Sequence, residues 1–194
     1  MRLFLSDKYN QKKLPALFLD RDGVINIDYG HVYKKDDFKF NDGIFNLVKE
    51  ANINEFIVII ITNQAGIAKG YYTEQDFSIL SYWMIDKFLQ KNAYIDAIYY
   101  SPFHPTMGKG KYLSDENTRK PGAGMIFEAL NDFKIDISRS ILVGDKFTDM
   151  QAGIKANIPN NLLYKNDEEI IEKKSINSIK KIDSLGDVPP FFNK

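Results

Sequence analysis

Side chains able to handle phosphate and metal ions follow four apolar runs of this chain. The four sets are Asp20 with Asp22, Thr62 with Asn63, Lys120, and Asp145 with Lys146 and Asp149. Three converging carboxylates repel one another, so they need a metal ion or must stay partly protonated. Oxygen ligands without cysteine favour Mg²⁺, which commonly joins carboxylates to a substrate phosphate. Lys120, Thr62 and Asn63 would supply hydrogen-bond donors for the other phosphate oxygens, as phosphoryl transfer requires.

Each of these sets also has an ordinary structural interpretation. An Asp-x-Asp-Gly segment is more often a plain turn, and Thr-Asn after a strand can simply cap a helix. A single lysine such as Lys120 is usually a solvated surface residue. The chemical hypothesis therefore depends on the joint occurrence of the four sets, in order and each at the same end of a strand.

The apolar pattern predicts strands alternating with helices around these sets. Short apolar runs ending in polar turns predict strands at 14–19, 56–61, 95–100, 140–143 and 162–164. Helical spacing and capping signals predict helices after Asn41 or Asp42, after Thr73, from Pro121 and after Thr148. This alternation indicates the α/β class, a doubly wound, Rossmann-like parallel sheet with right-handed connections. Ligands of such sheets bind beyond the carboxyl ends of the strands.

The remaining segments complete a single predicted domain over residues 1–194. An N-terminal extension, 1–13, includes a predicted edge strand at 2–5, and residues 186–194 form a tail. Weaker signals indicate a charged helix at 168–174 and a strand at 176–179. No inserted cap domain is expected, because 23–41 is too short and 62–120 already holds a helix and a strand of the core. Residues 101–120 are expected to form a long polar loop, which is typical of a functional segment.

Composition excludes several classes of protein. Lys plus Arg total 26 and Asp plus Glu total 26, so the formal net charge is zero and argues against a dedicated nucleic-acid or anionic-membrane binder. The chain contains no cysteine, which rules out disulfides, thiolate nucleophiles and cysteine-ligated metals. Its longest apolar run is far shorter than the roughly 20 residues that span a bilayer. With no apolar signal segment near Met1, a cytoplasmic location is expected, and a monomer is the default.

Four segments of the chain resemble the four motifs of the haloacid dehalogenase (HAD) superfamily of phosphohydrolases. They are Phe18-Leu-Asp-Arg-Asp-Gly-Val-Ile-Asn26, Ile61-Thr-Asn-Gln64, Arg119-Lys-Pro121 and Val143-Gly-Asp-Lys146. The resemblance extends from about residue 14 to 157. Within the superfamily, the chain is most similar to phosphatases of heptose bisphosphates. That similarity rests on Asp28-Tyr-Gly-His-Val32, 38–43, 63–70, Tyr99-Tyr100 and Gly144-Asp-Lys146.

The resemblance implies a division of labour among the catalytic residues. Asp20 would attack phosphorus and form an aspartyl-phosphate, while Asp22 would protonate the leaving sugar oxygen and later activate water. Thr62 and Lys120 would stabilise the transferring phosphoryl group. Mg²⁺ would be held by the Asp20 side chain, the backbone carbonyl of Asp22 and Asp145, with Asp149 supporting it from behind.

The resemblance also places a small-molecule sugar bisphosphate among three sets of residues. These are Asp28, Tyr29, Gly30 and His31, then Asn63, Gln64 and Ala65, and finally Arg119 and Lys146. A second phosphate needs its own cation, because burying it unpaired is costly. Arg119 is the best candidate and Lys69 a weaker one. The ordinary interpretation of Lys69, Lys109 and Lys111 is a solvated surface.

One departure from the family concerns a structural zinc ion. Relatives commonly hold it with cysteines and a histidine in the loop before the Arg-Lys motif, and the matching positions here are Ser101, Phe103, Glu116 and Thr118. No zinc is therefore expected. We predict that the loop is held by packing of Phe103 and Tyr112 or by internal hydrogen bonds.

Three alternatives remain open at this stage. A histidinol-phosphate phosphatase would use the same chemistry on an amino-alcohol ester. A polynucleotide 3′-phosphatase shares the motifs, but the zero net charge and the lack of an aromatic and basic stripe disfavour it. A catalytically silent binding protein could keep the fold, although retention of all four motifs argues against it.

Overall fold

The computed structural model describes residues 1–6, 12–165 and 178–192, and within them a seven-stranded sheet forms the centre of the molecule. The strands are β1 (Arg2–Leu5), β2 (Ala16–Leu19), β3 (Ile57–Asn63), β4 (Ala97–Ser101), β5 (Ile141–Gly144), β6 (Asn160–Tyr164) and β7 (Ile179–Ile182). They lie in the order β1-β4-β3-β2-β5-β6-β7. All neighbouring strands are parallel except β1, which pairs antiparallel with β4. The predicted parallel α/β class is confirmed.

Five α-helices connect the strands in the described part of the chain. They are α1 (Ile44–Ile53), α2 (Ala65–Lys69), α3 (Glu74–Leu89), α4 (Gly124–Asp132) and α5 (Phe147–Lys155). The connection from β2 to α1 contains one short 3₁₀ helix, Lys35–Asp37, and the connection from β3 to β4 contains α2 and α3. Neither of these fully described connections contains an inserted cap domain.

The path of the chain creates a switch point beside β2. From β2 the chain moves outward through β3 and β4, then returns to the other side of β2 to form β5, β6 and β7. The register pairs Leu19 at the end of β2 with Ile60 of β3 and with Val143 of β5. Loops leaving β2 and β5 therefore diverge at one point on the carboxyl edge, where open α/β sheets bind ligands.

Both faces of the central strands are buried, as the absence of polar alternation in residues 56–61 predicted. Val58 and Ile60 pack towards α1 and α3, whereas Ile57, Ile59 and Ile61 belong to the cluster that includes α4 and α5. Full burial of one such side chain contributes about 1.5–3 kcal/mol. The apolar layers fix the sheet and therefore the positions of the loops at its edge.

The helix starts were predicted with mixed success. The capping box at the start of α3 is confirmed, since Asp76 N–H donates to Thr73 Oγ1 at 3.1 Å and Thr73 N–H donates to Asp76 Oδ2 at 2.8 Å. The expected caps Asn41 and Asp42 are wrong, because the residue preceding α1 is Gly43, whose φ of 83° suits glycine.

Two further helix starts differ from the prediction. Helix α4 begins at Gly124 rather than Pro121, because the Gly124 N–H is taken by the Asn117 carbonyl in a turn. In α5 the predicted Thr148 cap is wrong, since the Asp149 carboxylate accepts the Lys146 N–H at 2.9 Å and the helix starts at Phe147. Helix α2 was not predicted.

The chain ends add an edge strand on each side of the sheet. The strand predicted at 2–5 is confirmed as β1, and the last described strand is β7, Ile179–Ile182. The strand predicted at 176–179 overlaps β7 at residue 179, and its residues 176–177 lie outside the described residues. The charged helix predicted at 168–174 lies outside the described residues. Among the described helices, none is long and apolar enough to cross a membrane.

Candidate active site

Asp20 lies at the centre of the carboxyl edge, immediately after β2. Its N–H donates to the Val143 carbonyl at 3.0 Å, which fastens the residue to the neighbouring strand β5. Its carboxylate is almost fully buried and accepts the N–H of Arg21 at 2.7 Å. The backbone therefore holds this carboxylate in one place at the switch point.

Lys120 reaches the same point from the long loop. Its buried Nζ lies 2.8 Å from Asp20 Oδ1 and 2.5 Å from Asp149 Oδ1, and it donates to the Ile61 carbonyl at 3.0 Å. Although burial alone lowers the pKa of Lys120, the neighbouring carboxylates Asp149 and Asp20 outweigh it and raise the pKa. Lys120 is therefore a buried, charged ammonium group directed at Asp20.

Asn63 fixes the base of the loop that carries Lys120. Its side-chain amide donates to the Lys120 carbonyl at 3.0 Å, and its Oδ1 accepts the Lys120 N–H at 3.0 Å. This pair ties the loop to the last residue of β3. Lys120 consequently owes its position to the sheet rather than to the rest of the loop.

Three carboxylates form an acidic cluster at this edge. Asp20, Asp145 and Asp149 each place an oxygen within 4.8 Å of the others. Burial raises the pKa of Asp20 to about 8, against the lowering effect of Lys120, while Asp149 and Asp145 raise it further. Burial likewise raises the pKa of Asp145 to about 6, although Lys146 opposes it. Lys120, and Lys146 at 3.8 Å from Asp145 Oδ2, bring fewer positive charges than the three carboxylates carry when ionised, and this all-oxygen donor set fits Mg²⁺.

Two glycines make room for the acidic cluster. A Cβ added to Gly23 would lie 2.1 Å from Asp145 Oδ2, and one added to Gly144 would lie 2.3 Å from the Cβ of Asp149. Gly23 also has a φ of 93°, which other residues rarely adopt. Both carboxylates thus pack directly against bare backbone.

Asp22 has a separate network from the acidic cluster. Both of its carboxylate oxygens lie 2.7 Å from Nη2 of Arg21, whose side chain is buried and also donates to the Val32 carbonyl at 2.6 Å. Asn26 Nδ2 donates to Asp22 Oδ1 at 3.0 Å. Although Asp22 is only two residues from Asp20 in the sequence, its side chain is oriented by a different set of partners.

The buried side chain of Gln64 joins Asp22 and Thr62 through hydrogen bonds. Its Nε2 donates to Thr62 Oγ1 at 2.8 Å and lies 3.2 Å from Asp22 Oδ2, and Tyr72 Oη donates to its Oε1 at 2.5 Å. Gln64 is buried, so its amide is used within the protein. The structure thus places Gln64 beneath the site instead of in the cleft where it was expected.

A cleft of about 370 Å³ opens above Lys120. Its lining combines loops from all the predicted sets: Asp28, Gly30, His31, Asn63, Ala65, Lys69, His104, Arg119, Lys120, Lys146 and Thr148. Seven of the nine predicted substrate residues belong to it. Gln64 does not, and Tyr29 lines a neighbouring cleft of about 500 Å³ that shares Gly30 and His31. His104 and Thr148 were not predicted, since neither has a local signal and only the fold brings them here.

The cations of the cleft differ in how they are held. Lys146 Nζ lies 2.9 Å from Asp28 Oδ2 and 3.8 Å from Asp145 Oδ2. Arg119 Nη1 donates to the Phe103 carbonyl at 3.1 Å. Lys69 Nζ lies 3.3 Å from His31 Nε2, and within the described part of the chain no carboxylate pairs with it. Lys69 therefore keeps an unpaired positive charge among the described residues, whereas Arg119 is held by a carbonyl group and attracted by the carboxylate of Asp115.

The family's zinc positions do not offer a zinc site here. Ser101 is a buried residue at the end of β4, and Phe103 contributes only a ring and backbone atoms. Together with Glu116 and Thr118 they supply neither the thiolates nor the imidazole that structural zinc prefers. The donor chemistry therefore does not fit zinc, and the expectation that none binds stays a prediction.

Comparison with known proteins gives consistent similarities. Residues 117–178 match the model of the HAD-hydrolase-like family. The chain is 40% identical over 179 residues to D-glycero-beta-D-manno-heptose-1,7-bisphosphate 7-phosphatase of Haemophilus influenzae, covering 92% of this chain and 97% of that protein. It is 49% identical over 148 residues to D-glycero-alpha-D-manno-heptose-1,7-bisphosphate 7-phosphatase of Burkholderia mallei, covering 76% and 78%.

Solved structures agree with the sequence comparison. A HAD-like phosphatase from Mesorhizobium loti superimposes with a TM-score of 0.88 at 28% identity, covering 98% of this chain and 91% of that one. D,D-heptose 1,7-bisphosphate phosphatase of B. bronchiseptica, complexed with magnesium and phosphate, gives a TM-score of 0.78 at 24% identity, covering 92% and 97%. The second likeness shows the shared fold.

Proposed function

This chain belongs to the D-glycero-D-manno-heptose 1,7-bisphosphate 7-phosphatase family of HAD phosphatases, and we propose that it removes the 7-phosphate of that sugar bisphosphate. It is thus a phosphoric monoester hydrolase. The proposal rests chiefly on one observation, the buried Asp20 held against Lys120 with Asp145 and Asp149 at the sheet's switch point. The product would enter nucleotide-activated heptose biosynthesis for surface polysaccharide.

Asp20 is the proposed nucleophile. Its carboxylate attacks phosphorus, the bond from phosphorus to the sugar oxygen breaks, and an aspartyl-phosphate forms. Asp22 donates a proton to the departing oxygen and later accepts one from the water that hydrolyses the intermediate. Arg21, Asn26 and Gln64 support this role, because they hold the Asp22 carboxylate in a fixed direction.

Thr62 and Lys120 are the proposed stabilisers of the transferring phosphoryl group. Lys120 Nζ already lies 2.8 Å from the nucleophile, so its charge faces the oxygens on which negative charge accumulates. The Thr62 hydroxyl accepts a hydrogen bond from Gln64, which leaves its own proton available to donate to a phosphate oxygen.

Mg²⁺ is the proposed cofactor. The side chains of Asp20 and Asp145 and the backbone carbonyl of Asp22 would hold it, with Asp149 behind them. When bound, the ion neutralises charge on the carboxylates and on the phosphate. Asp149 already contacts Lys120, so this residue links the proposed ligands to the lysine.

The sugar and its second phosphate are proposed to occupy the cleft. Asp28, Gly30, His31, Asn63, Ala65 and Lys146 line it on the sugar side, and the exposed Tyr29 lines the neighbouring cleft that shares Gly30 and His31. Arg119 remains the best candidate for the second phosphate, because a guanidinium group can bind phosphate oxygens in pairs. Lys69 is the second candidate, and its lack of a carboxylate partner among the described residues strengthens it.

The decisive experiment measures phosphate release from the α and β anomers of heptose 1,7-bisphosphate and from histidinol phosphate, each with Mg²⁺ and with EDTA. We expect strong, Mg²⁺-dependent preference for one bisphosphate anomer. Preference for histidinol phosphate would keep the mechanism and overturn the substrate. Absence of turnover with every ester would favour a silent binding protein.

Substitution of the nucleophile tests the mechanism itself. Asp20→Asn should lower kcat by at least 10³-fold, because an amide does not attack phosphorus under these conditions. Asp86→Asn, an exposed change on α3, is the matched control and should leave kcat within twofold. Near-native turnover by Asp20→Asn would exclude Asp20 as the nucleophile.

A further inference from the structure

Glu74, the first residue of α3, receives hydrogen bonds from two tyrosines. Tyr100 Oη donates to Glu74 Oε2 at 2.6 Å, and Tyr112 Oη donates to Glu74 Oε1. Tyr100 belongs to β4, whereas Tyr112 belongs to the long loop between β4 and α4. We refer to Glu74, Tyr100 and Tyr112 as the Glu74 clamp.

The charge state of Glu74 strengthens this clamp. Burial tends to raise the pKa of Glu74, but hydrogen bonds from Tyr100 and Tyr112 outweigh it and hold the pKa below its usual range. Lys111 Nζ, 3.5 Å from Oε1, acts in the same direction. Hydroxyl groups donating to an ionised carboxylate form stronger bonds than neutral pairs do. The clamp is therefore a charge-assisted tie between the loop and α3.

A short chain of contacts leads from Tyr112 to Arg119. The Tyr112 carbonyl accepts the His104 N–H at 3.1 Å, and the rings of Phe103 and Tyr112 lie 6.3 Å apart. The Phe103 carbonyl in turn accepts Arg119 Nη1 at 3.1 Å. The position of Tyr112 therefore sets the position of the Phe103 carbonyl, which orients the Arg119 guanidinium.

Lys120, the next residue, does not depend on these contacts. The reciprocal bonds to Asn63 hold its backbone, and Asp20, Asp149 and the Ile61 carbonyl hold its ammonium group. Release of the clamp should therefore move the Arg119 side chain while leaving Lys120 at the nucleophile. Neighbouring residues of the same loop would respond differently.

We propose that Tyr112 and Glu74 are positioning residues, which fix Arg119 to receive the second phosphate of the substrate. This inference rests on the proposed function, because it needs a substrate with two phosphates. The clamp also provides a hydrogen bond that ties the loop, predicted to lack zinc, to α3. The clamp then controls selectivity for a bisphosphate, while the chemical step depends on the sheet.

The test compares heptose 1,7-bisphosphate with heptose 7-phosphate, which lacks the second phosphate. In Tyr112→Phe we expect KM for the bisphosphate to rise at least fivefold, with kcat and KM for the monophosphate within twofold of wild type. Glu74→Ala should give the same pattern, and the double variant should add little, since both changes break the bond between Tyr112 and Glu74. Tyr100→Phe is the matched control, because it removes the other tyrosine hydrogen bond to Glu74, which comes from β4 and not from the loop. The ratio of its KM for the bisphosphate to its KM for the monophosphate should stay near the wild-type ratio.

Each other outcome is informative. An equal loss on both substrates in Tyr112→Phe would mean that the clamp supports the whole site, and it would overturn the inference. A wild-type preference for the bisphosphate that survives in Tyr112→Phe would overturn this inference alone. A wild-type enzyme that does not distinguish the two esters would overturn the proposed use of the second phosphate and the inference with it.

Discussion

Replacing Lys120 by methionine should destabilise the protein strongly when no divalent metal is present. Lys120 Nζ contacts the buried carboxylates of Asp20 at 2.8 Å and Asp149 at 2.5 Å, and methionine would leave both without their cation. Breaking a buried ion pair in this way costs about 3–5 kcal/mol. Since 1 kcal/mol shifts Tm by about 2–4 °C in a chain of this size, we expect Tm to fall by about 10 °C.

Thermal unfolding followed by circular dichroism, with EDTA and with Mg²⁺, provides the assay. Mg²⁺ should restore part of the lost Tm, because a divalent cation replaces the missing positive charge among the carboxylates. Adding Asp149→Asn to Lys120→Met should also recover part of the loss, since one fewer carboxylate stays unpaired. Lys155→Met is the control: its exposed Nζ donates to the Pro121 carbonyl and has no carboxylate partner among the described residues, so Tm should change little.

The loss should also depend on pH. The pKa of Asp20 is raised to about 8, above its unfolded value, so the folded protein retains a proton that the unfolded chain releases. Stability therefore falls as pH rises from about 4 through 8, and removal of Lys120, whose charge lowers the pKa of Asp20, should extend this fall to higher pH. A drop in Tm of less than 2 °C in EDTA at pH 8 would show that Lys120 does not stabilise the two buried carboxylates.

Three smaller perturbations test other parts of the site. Asp22→Asn should reduce kcat by about 10²–10⁴-fold through loss of general acid catalysis, while isothermal titration still detects Mg²⁺ binding. Folding lowers the pKa of Glu74, so the ionised carboxylate stabilises the protein above pH 4.5, the ordinary pKa of a glutamate, and this stabilisation is lost as pH falls through the lowered pKa. The difference in Tm between wild type and Glu74→Gln should therefore vanish in acid. Burial and then Lys69 lower the pKa of His31, so Lys69→Met should raise that pKa in an NMR titration.

Local patterns predicted the parts of the fold that local physics determines. The apolar run at 56–61 indicated a strand buried on both faces, and β3 has that environment. Thr73 and Asp76 indicated the start of α3, because the capping bonds lie within one turn. The start of α4 was misjudged, since Pro121 is followed by a turn that uses the Asn117 carbonyl before the helix begins.

In the candidate site, too, some features follow from local patterns and others depend on contacts between distant residues. Asp20, Asp145 and Asp149 could be predicted to meet, because strand ends in a parallel sheet share one edge. The orientation of Gln64 could not, since Tyr72, from beyond α2, determines where its amide points. The bond between Glu74 and Tyr112 joins residues 38 positions apart, and no local pattern encodes it.

Gly23 and Gly144 have a consequence for how this protein tolerates sequence change. In most proteins, glycine to alanine is among the mildest substitutions available. Here the added methyl carbon would lie 2.1 Å from the Asp145 carboxylate or 2.3 Å from the Asp149 Cβ, so it would displace an acidic side chain from the cluster. A saturation-mutagenesis screen should therefore score alanine at these two glycines as severely as alanine at the aspartates, although the glycines carry no functional group.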